Sequence, residues 1–418
     1  MNHSENVDHD AVLRARTMLL GSDRPSLTQE VQAYRVLARV SPAAYLPKLV
    51  GALLSYGYDV GNQGGRELLL ALHAEAADAA RRIDAGEPNR TEVLCRTLDT
   101  YRHTLLRAGR RAEGFAVCEE MAEAGRLGFE RGQVKSSAYG HGPLATMLAE
   151  EGRHAEAAEA LGTGSRQAEV CFWSTVARAA ELDAAGRHDE ALAVFTELVD
   201  DTRRKTEAAT SSLAILVWEL VHRSRMFEAS GRHEEEGADR REALALLARL
   251  AEAGEPKVWS NILSWWCTLY ALSGRTAEPA GSREAPTPPF GADFLQWSPD
   301  TRESYFADIP VLETEVAGLV EAGRLPEAVT THRRLTRRSS LLQERRTYRI
   351  EEHLRPLFDQ GVALARRLPT APGTLAETLT DRAMFLVAAQ RYEEAHADFA
   401  AAVELRGAAT SNAIVTRT

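Results

Sequence analysis

The chain has 418 residues, 44% of them hydrophobic and 6% aromatic, and a formal net charge of −10. That length suffices for a large core or a solenoid, and the negative balance argues against coating nucleic acid or an anionic membrane. Four cysteines, Cys95, Cys118, Cys171 and Cys267, form no C-x-x-C pair, so their scatter predicts reduced, buried thiols. Met1 to Asp10 is polar and acidic and does not read as a signal peptide, and no apolar run reaches the roughly 20 residues that span a bilayer. A soluble, cytoplasmic protein is expected. Lysine stands only at 48, 135, 205 and 257; nearly every other cation is arginine, which lowers the information in any one arginine.

Residues 1–40 read as a polar segment and a helix. Val40-Ser41-Pro42-Ala43-Ala44-Tyr45-Leu46-Pro47 leads into a helix ending near Gly64-Gly65-Arg66, and a helix from Glu67 to Ile83 follows. A short phrase then recurs, each time after an apolar helical stretch. It reads Gly109-Arg110-Arg111-Ala112-Glu113, then Gly152-Arg153-His154-Ala155-Glu156-Ala157, Gly186-Arg187-His188-Asp189-Glu190-Ala191 and Gly231-Arg232-His233-Glu234-Glu235. Weaker or later copies begin at Gly274, Gly323 and Gln390. Around Gly186, the residues Val176, Ala179, Ala180 and Leu182 recur with helical spacing. The glycine ends that helix in a left-handed cap, the acidic pair starts the next, and Ala191, Phe195 and Leu198 continue its apolar face. After Gly231 the expected alanine is replaced by Glu236, so the second helix is expected to start late, near Ala238. After Gly274 the pattern fails. Pro279, Pro286, Pro288, Pro289 and Pro299 exclude a regular helix over 277–299. This is a long loop or a hinge. Its aromatics Phe290, Phe294 and Trp297, with Tyr305 and Phe306 beyond, favour docking on the array's own surface over contact with a partner.

A helix pair whose second helix opens on a small residue, with a large apolar residue four positions later, resembles the tetratricopeptide repeat (TPR). The small residue is Ala157, Ala191, Ala328 or Ala395, followed by Leu161, Phe195, His332 or Phe399; the Gly109 copy has Gly114 and Cys118. Glycines at 109, 152, 186, 231, 274 and 323 stand 43, 34, 45, 43 and 49 residues apart, against the usual TPR period of about 34. The longer intervals resemble the extended variety, as in regulatory and adaptor proteins of actinobacteria. Tyr56 and Gly57 hold the matching positions of a degenerate first repeat. The resemblance implies an all-α, right-handed α-solenoid of about eight TPR-like helix pairs. Its parts are an N-terminal segment 1–40, an array over 41–276, the loop 277–300, a second array over 301–405 and a flexible tail 406–418.

No constellation points to catalysis. Gly57 to Gly65 is glycine-rich but lacks the lysine and hydroxyl of a phosphate loop, no histidine opens H-E-x-x-H, and no serine sits in a G-x-S-x-G elbow. The reading is therefore no enzyme, no cofactor and no metal. Three features remain as candidates for partner binding. The first is the arginine run Arg333, Arg334, Arg337, Arg338, Arg345, Arg346 and Arg349, of which Arg334, Arg337, Arg338 and Arg345 form a candidate basic patch. The alternative is a solvated helix face. The second is aromatic: Trp173 and Trp218 fall near groove-facing positions of the resembled repeat, with Phe172, Trp259, Trp265, Trp266 and Tyr270 around them. Trp266 is assigned to the core. The third is a polar lining, Arg96, Asp99, His103 and Arg107 from one helix face, with Arg225 and Glu228 further on. Groove tryptophans and arginines are common interface anchors, while core packing and ordinary surface polarity are the bland alternatives.

These readings converge on a scaffold or regulatory adaptor that binds a protein or peptide partner in a concave groove. The alternative is a ligand- or peptide-sensing regulator, of transcription among other roles, with a pocket near Trp173, Trp218 and Trp265. Nucleic acid and membrane are not expected partners, and residues 1–40 show no helix-turn-helix. The places where the phrase breaks, at Glu236 and Pro279, are the ones to inspect.

Overall fold

A computed structural model describes residues 8–21, 25–163, 171–255, 262–344, 349–368 and 371–415. Every described element is a helix, and none is long and apolar enough to cross a membrane. The chain forms two compact units. Unit 1 comprises Met1–Met147 with Glu159–Gln167 and Ser298–Asp300; unit 2 comprises the rest. The main division falls well before the break expected at 277–300, most of which belongs to unit 2 with the helix before it.

Unit 1 contains α1 (His9–Leu20), α2 (Leu27–Val40), α3 (Pro42–Asn62), α4 (Arg66–Arg81), α5 (Arg90–Arg107) and α6 (Arg111–Glu130), each packed on the next. Ser26 opens α2 with a capping box, its hydroxyl accepting from Gln29 N while the Gln29 side chain accepts from Ser26 N. Leu46, Leu53, Ala76, Ala80, Leu98 and Leu105 fill the core. Gly57 is small for a reason: a Cβ there would lie 2.5 Å from His73 Nε2. α7 (His141–Glu150) and α8 (His154–Gly162) contribute residues to both units.

Unit 2 is built from α9 (Phe172–Ala184), α10 (His188–Glu207), α11 (Leu213–Ala229), α12 (His233–Ala253) and α13 (Ile262–Leu272). After the loop come α14 (Pro299–Ala307), α15 (Ile309–Glu321), α16 (Leu325–Gln343), α17 (Ile350–Arg366), α18 (Pro372–Ala388) and α19 (Tyr392–Val415). Sequential neighbours pair from α9 to α12 and from α15 to α19 as in a repeat array, while α13 packs on α11, α16 and α18, and the chain also returns on itself. α19 packs on α12, and α18 packs on α11 and α13. Phe195, Trp266, Phe385 and Phe399 are sealed in the shared core, and Phe358 stacks on Phe385 with centroids 4.5 Å apart. Burial of each such side chain is worth about 1.5–3 kcal/mol.

The recurring phrase is the turn that makes each hairpin. Gly109, Gly152, Gly186, Gly231 and Gly323 all have φ between 71° and 77°. At Gly186 the amide donates to Asp183 O at 3.0 Å and the next amide to Leu182 O at 2.9 Å, the double closure of a Schellman cap. The arginine then stands at the start of the second helix, without a side-chain cap where the helix ends are described, and its guanidinium pairs with the glutamate three residues on, as Arg110–Glu113, Arg153–Glu156, Arg187–Glu190, Arg232–Glu235 and Arg324–Glu327. Ala157, Ala191, Ala328 and Ala395 are fully buried where the helices touch.

Three expectations are corrected. α12 begins at His233, not near Ala238, because the Arg232–Glu235 pair and three first-turn glutamates start the helix without the alanine. The stretch expected as a flexible tail continues α19 as far as Val415, and Arg406 is tied to Glu228, Glu236 and Glu377. Cys171 is exposed, whereas Cys95, Cys118 and Cys267 are buried. The proline-rich loop is irregular as expected, apart from single 3-10 turns. It is docked on its own unit. Phe290, Trp297 and Tyr305 are buried edge-to-face, Thr287 N donates to Glu150 O at 3.0 Å, and Gly291 leaves only 2.5 Å between a would-be Cβ and Ala180 Cβ.

Candidate functional site

The arginines of α16 are organised by helical spacing. Arg334 and Arg338 turn toward the loop, where both pair with the buried Glu278; Arg338 also reaches Asp308 at 2.9 Å and lies 4.2 Å over the Tyr305 ring. Arg333 and Arg337 lie on the adjoining face. Arg337 and Arg338 are 5% and 3% exposed, so this stretch of α16 is neither a surface patch for phosphates nor a solvated face. The patch expectation is corrected for Arg334, Arg337 and Arg338: Glu278 of the loop draws Arg334 and Arg338 inward, Asp308 in the turn before α15 adds to the hold on Arg338, and Arg337 faces Asp381 of α18; Arg345 and Arg346 lie outside the described residues.

The other face of α16 borders a cavity of about 750 Å³ within unit 2. It lies where the ends of α9, α11 and α13 converge on α16, α18 and α19. Arg225, Arg275, Arg333, Arg337 and Arg406 line it, with Asp183, Asp189, Glu228 and Glu377 and the apolar Ala180, Met226 and Leu272. Arg225 reaches Asp381 at 2.6 Å and Glu377 at 3.2 Å, and Arg333 reaches the same two at 2.8 Å and 3.3 Å. Arg406 bridges Glu377 and Glu228, while Glu236, in the slot where other repeats hold alanine, forms an ion pair with Arg240 at 3.1 Å and also faces Arg406. Arg275 reaches Asp183 and the Ala180 carbonyl.

Arg337 differs from the rest. Its Nε has no hydrogen-bond partner, and its one carboxylate contact among the described residues is Asp381 at 4.0 Å. Its guanidinium lies 5.4 Å over the Tyr270 ring. Burial, with Arg333 and Arg225 beside it, holds its pKa below the ordinary arginine value. Burial works to raise the pKa of Asp381, but Arg333, Arg225 and Arg337 outweigh it and hold the carboxylate at about 2.

A side recess of about 20 Å³ opens among Trp218, His222, Arg225, Trp266, Tyr270 and Asp381. Three polar atoms there lack hydrogen-bond partners: Trp266 Nε1, His222 Nδ1 and Arg225 Nε. Burial, then Arg225, lowers the His222 pKa to about 3, so the imidazole is neutral near pH 7 and offers one donor and one acceptor.

The remaining sequence candidates scatter. Trp218 is 3% exposed and donates its Nε1–H to Met384 O at 3.1 Å; it walls the recess and is not an open platform, which corrects its groove assignment. Trp173 is half-buried, edge-on to Phe172 at 5.0 Å and to Trp265 at 6.3 Å, and does not line the cavity. Arg96, Asp99, His103 and Arg107 share α5 in unit 1. Arg96 and Arg107 are exposed, Asp99 pairs with the buried Arg102 at 2.7 Å, and His103 Nδ1 bonds the Asp99 carbonyl at 2.9 Å. Of the groove set, Arg225 and Glu228 reach the cavity. Trp259 lies outside the described residues.

The carboxylates Glu377 and Asp381 and the distant Arg406 escape sequence reasoning, because only the return of α18 and α19 brings them to α11, where His222 stands. One signal was present. Gly274 is kept in a copy that has lost its second helix and has φ −106°, so it serves no left-handed turn. A Cβ there would lie 2.4 Å from Arg337 Cδ. The glycine makes room for the arginine.

The fold and cavity define an all-α helical-hairpin protein with an interior ionic site. No family model matches the chain, and no curated protein matches it. Among solved structures it is similar to the TPR domain of P58(IPK), with 14% identity over 85% of this chain and 92% of that one and a TM-score of 0.22. It is also similar to a circular tandem repeat protein with a novel repeat topology, with 16% identity over 95% and 96% and a TM-score of 0.17. Superpositions this loose carry no argument about function.

Proposed function

We propose that this chain is a non-enzymatic binding module that receives an acidic segment of a protein partner in the cavity of unit 2. The observation that supports the reading is the arginine-lined cavity itself. Guanidinium groups from three separate helices and a turn converge on one space large enough for several side chains, and arginine is the cation suited to planar recognition of carboxylates. No group there is arranged as a nucleophile with its base, and no cluster of His, Cys, Asp and Glu among the described residues could hold a metal ion. A small-molecule sensor is the second reading, favoured by the recess and its unpartnered donors.

The test is titration of the full chain with acidic, neutral and basic peptides of equal length, followed by tryptophan fluorescence, since Trp218 and Trp266 wall the recess. Acidic peptides are expected to bind, with affinity falling as salt rises. Equal binding of neutral peptides, or an affinity indifferent to salt, removes the proposal.

A further inference from the structure

We infer that Arg337 is the anchor of this cavity and that it takes a single oxyanion group, a carboxylate or a singly charged phosphoryl, from the ligand. The inference rests on the binding reading above and assigns its central contact. Around Arg337 three guanidinium groups, those of Arg225, Arg333 and Arg337, face two carboxylates, Asp381 and Glu377. Arg406 and Arg240 are matched by Glu228 and Glu236. Among these five arginines and four carboxylates one positive charge is left over, and it falls on Arg337, the member held farthest from any carboxylate; Arg275 is matched by Asp183, and Asp189 on the cavity wall is solvent-exposed.

The charge is buried without good geometry for the pair it has. Arg337 is 5% exposed, its Nε is unpartnered, and 4.0 Å from Asp381 is beyond hydrogen-bond reach. An uncompensated buried charge works against the fold unless an anion arrives. The chain nonetheless builds a seat for it. Gly274 clears the space its Cδ, Nε and Cζ occupy, and Tyr270 lies under the guanidinium. Next to it the recess presents Trp266 Nε1, Arg225 Nε and His222 Nδ1 without partners, so further polar atoms of the ligand find hydrogen bonds there. A neutral ligand would leave the spare charge unmatched.

The experiment measures binding and thermal unfolding of the full chain and two variants, Arg337→Met and Gly274→Ala. The probes are glutarate, inorganic phosphate and an amidated hexaglutamate peptide. The parent is expected to bind at least one of these saturably. Arg337→Met is expected to lose roughly tenfold or more in affinity, the scale of a hydrogen bond to a charged group. Its melting temperature without ligand is expected to hold or rise, because methionine fills similar volume without a buried charge. Gly274→Ala, whose φ tolerates alanine, is expected to weaken binding in the same way by displacing the arginine. Glutarate or phosphate binding identifies a small-molecule source for the oxyanion; binding of the peptide alone identifies a partner segment. Undiminished binding by Arg337→Met, or a lowered melting temperature in that variant, overturns the anchor role and leaves the module reading standing. Failure of every probe against the parent overturns both.

Discussion

At the scale of single residues, the ionic cluster divides into groups that hold the fold and one that does not. Asp381, 2% exposed, is the hub: Arg225 and Arg333 both close on it within hydrogen-bond distance. Removing one partner of a buried charge pair leaves the other charge stranded, at about 3–5 kcal/mol. Asp381→Asn is therefore expected to destabilise unit 2 by about 3 kcal/mol, read as a lower midpoint in urea denaturation. The same measurement on Arg337→Met is expected to show no loss. Parent-like stability of Asp381→Asn would show that the cluster is not organised around this carboxylate. None of this was legible from residue types. The arginine run reads in sequence as surface because arginines usually are; the carboxylates that hold Arg333 stand on α18, more than forty residues away, and the one that holds Arg334 and Arg338 stands in the loop, more than fifty residues before them.

At the scale of elements, the sequence was most readable where a local rule repeats. The glycine turn, the acidic first turn and the buried alanine follow from backbone sterics, the helix dipole and close helix contact, and each copy supplies all three within a few residues. The arginine of the phrase is its less obvious part, a residue at the helix start whose guanidinium pairs with the glutamate in the next turn. Where one of the signals was missing, the reading failed: Glu236 in place of alanine suggested a delayed helix, but the charge pattern at Arg232 and Glu235 is enough to start α12. The last copy offers a direct measure of the glycine's contribution. Gln390 adopts φ 59° at the turn that glycines occupy elsewhere, with its amide bonded to Val387 O at 3.0 Å and that of Arg391 to Leu386 O at 2.8 Å. A left-handed non-glycine residue costs roughly 1–2 kcal/mol. Gln390→Gly is expected to stabilise the chain by about 1 kcal/mol, offset in part by the freer unfolded backbone, while Gly186→Ala is expected to destabilise it by a similar amount. Both are read from shifts in denaturation midpoint, and equal midpoints for Gln390→Gly and the parent would contradict the strain argument.

At the scale of unit 2, the departure from a simple repeat array is what creates the site. In an open array each repeat touches only its neighbours, and stability is close to a sum of local terms. Here α19 packs on α12 and α18 on α11 and α13, so helices far apart in the chain share one core and one ionic cluster. Sequence periodicity shows the hairpins but carries no mark of this return, since the contacts are made by ordinary leucines, phenylalanines and charged residues. The consequence is a different response to shortening. Removing residues 371–418 takes away Phe385 and Phe399 from the core and Asp381, Glu377 and Arg406 from the cavity wall. It strips two carboxylates from the half-buried Arg225 and Arg333 and exposes the apolar faces of α11, α12 and α13. An open array so truncated would keep its remaining hairpins and lose helical content in proportion to the residues deleted. For this chain the loss is expected to exceed that proportion, with unit 2 failing to fold cooperatively and unit 1 retaining its own transition. Circular dichroism of the truncated chain, with limited proteolysis mapping the protected region, decides between the two. Protection extending through α9 to α13 in the absence of α18 and α19 would show that the return is dispensable and that the cavity is an accessory of an otherwise open array.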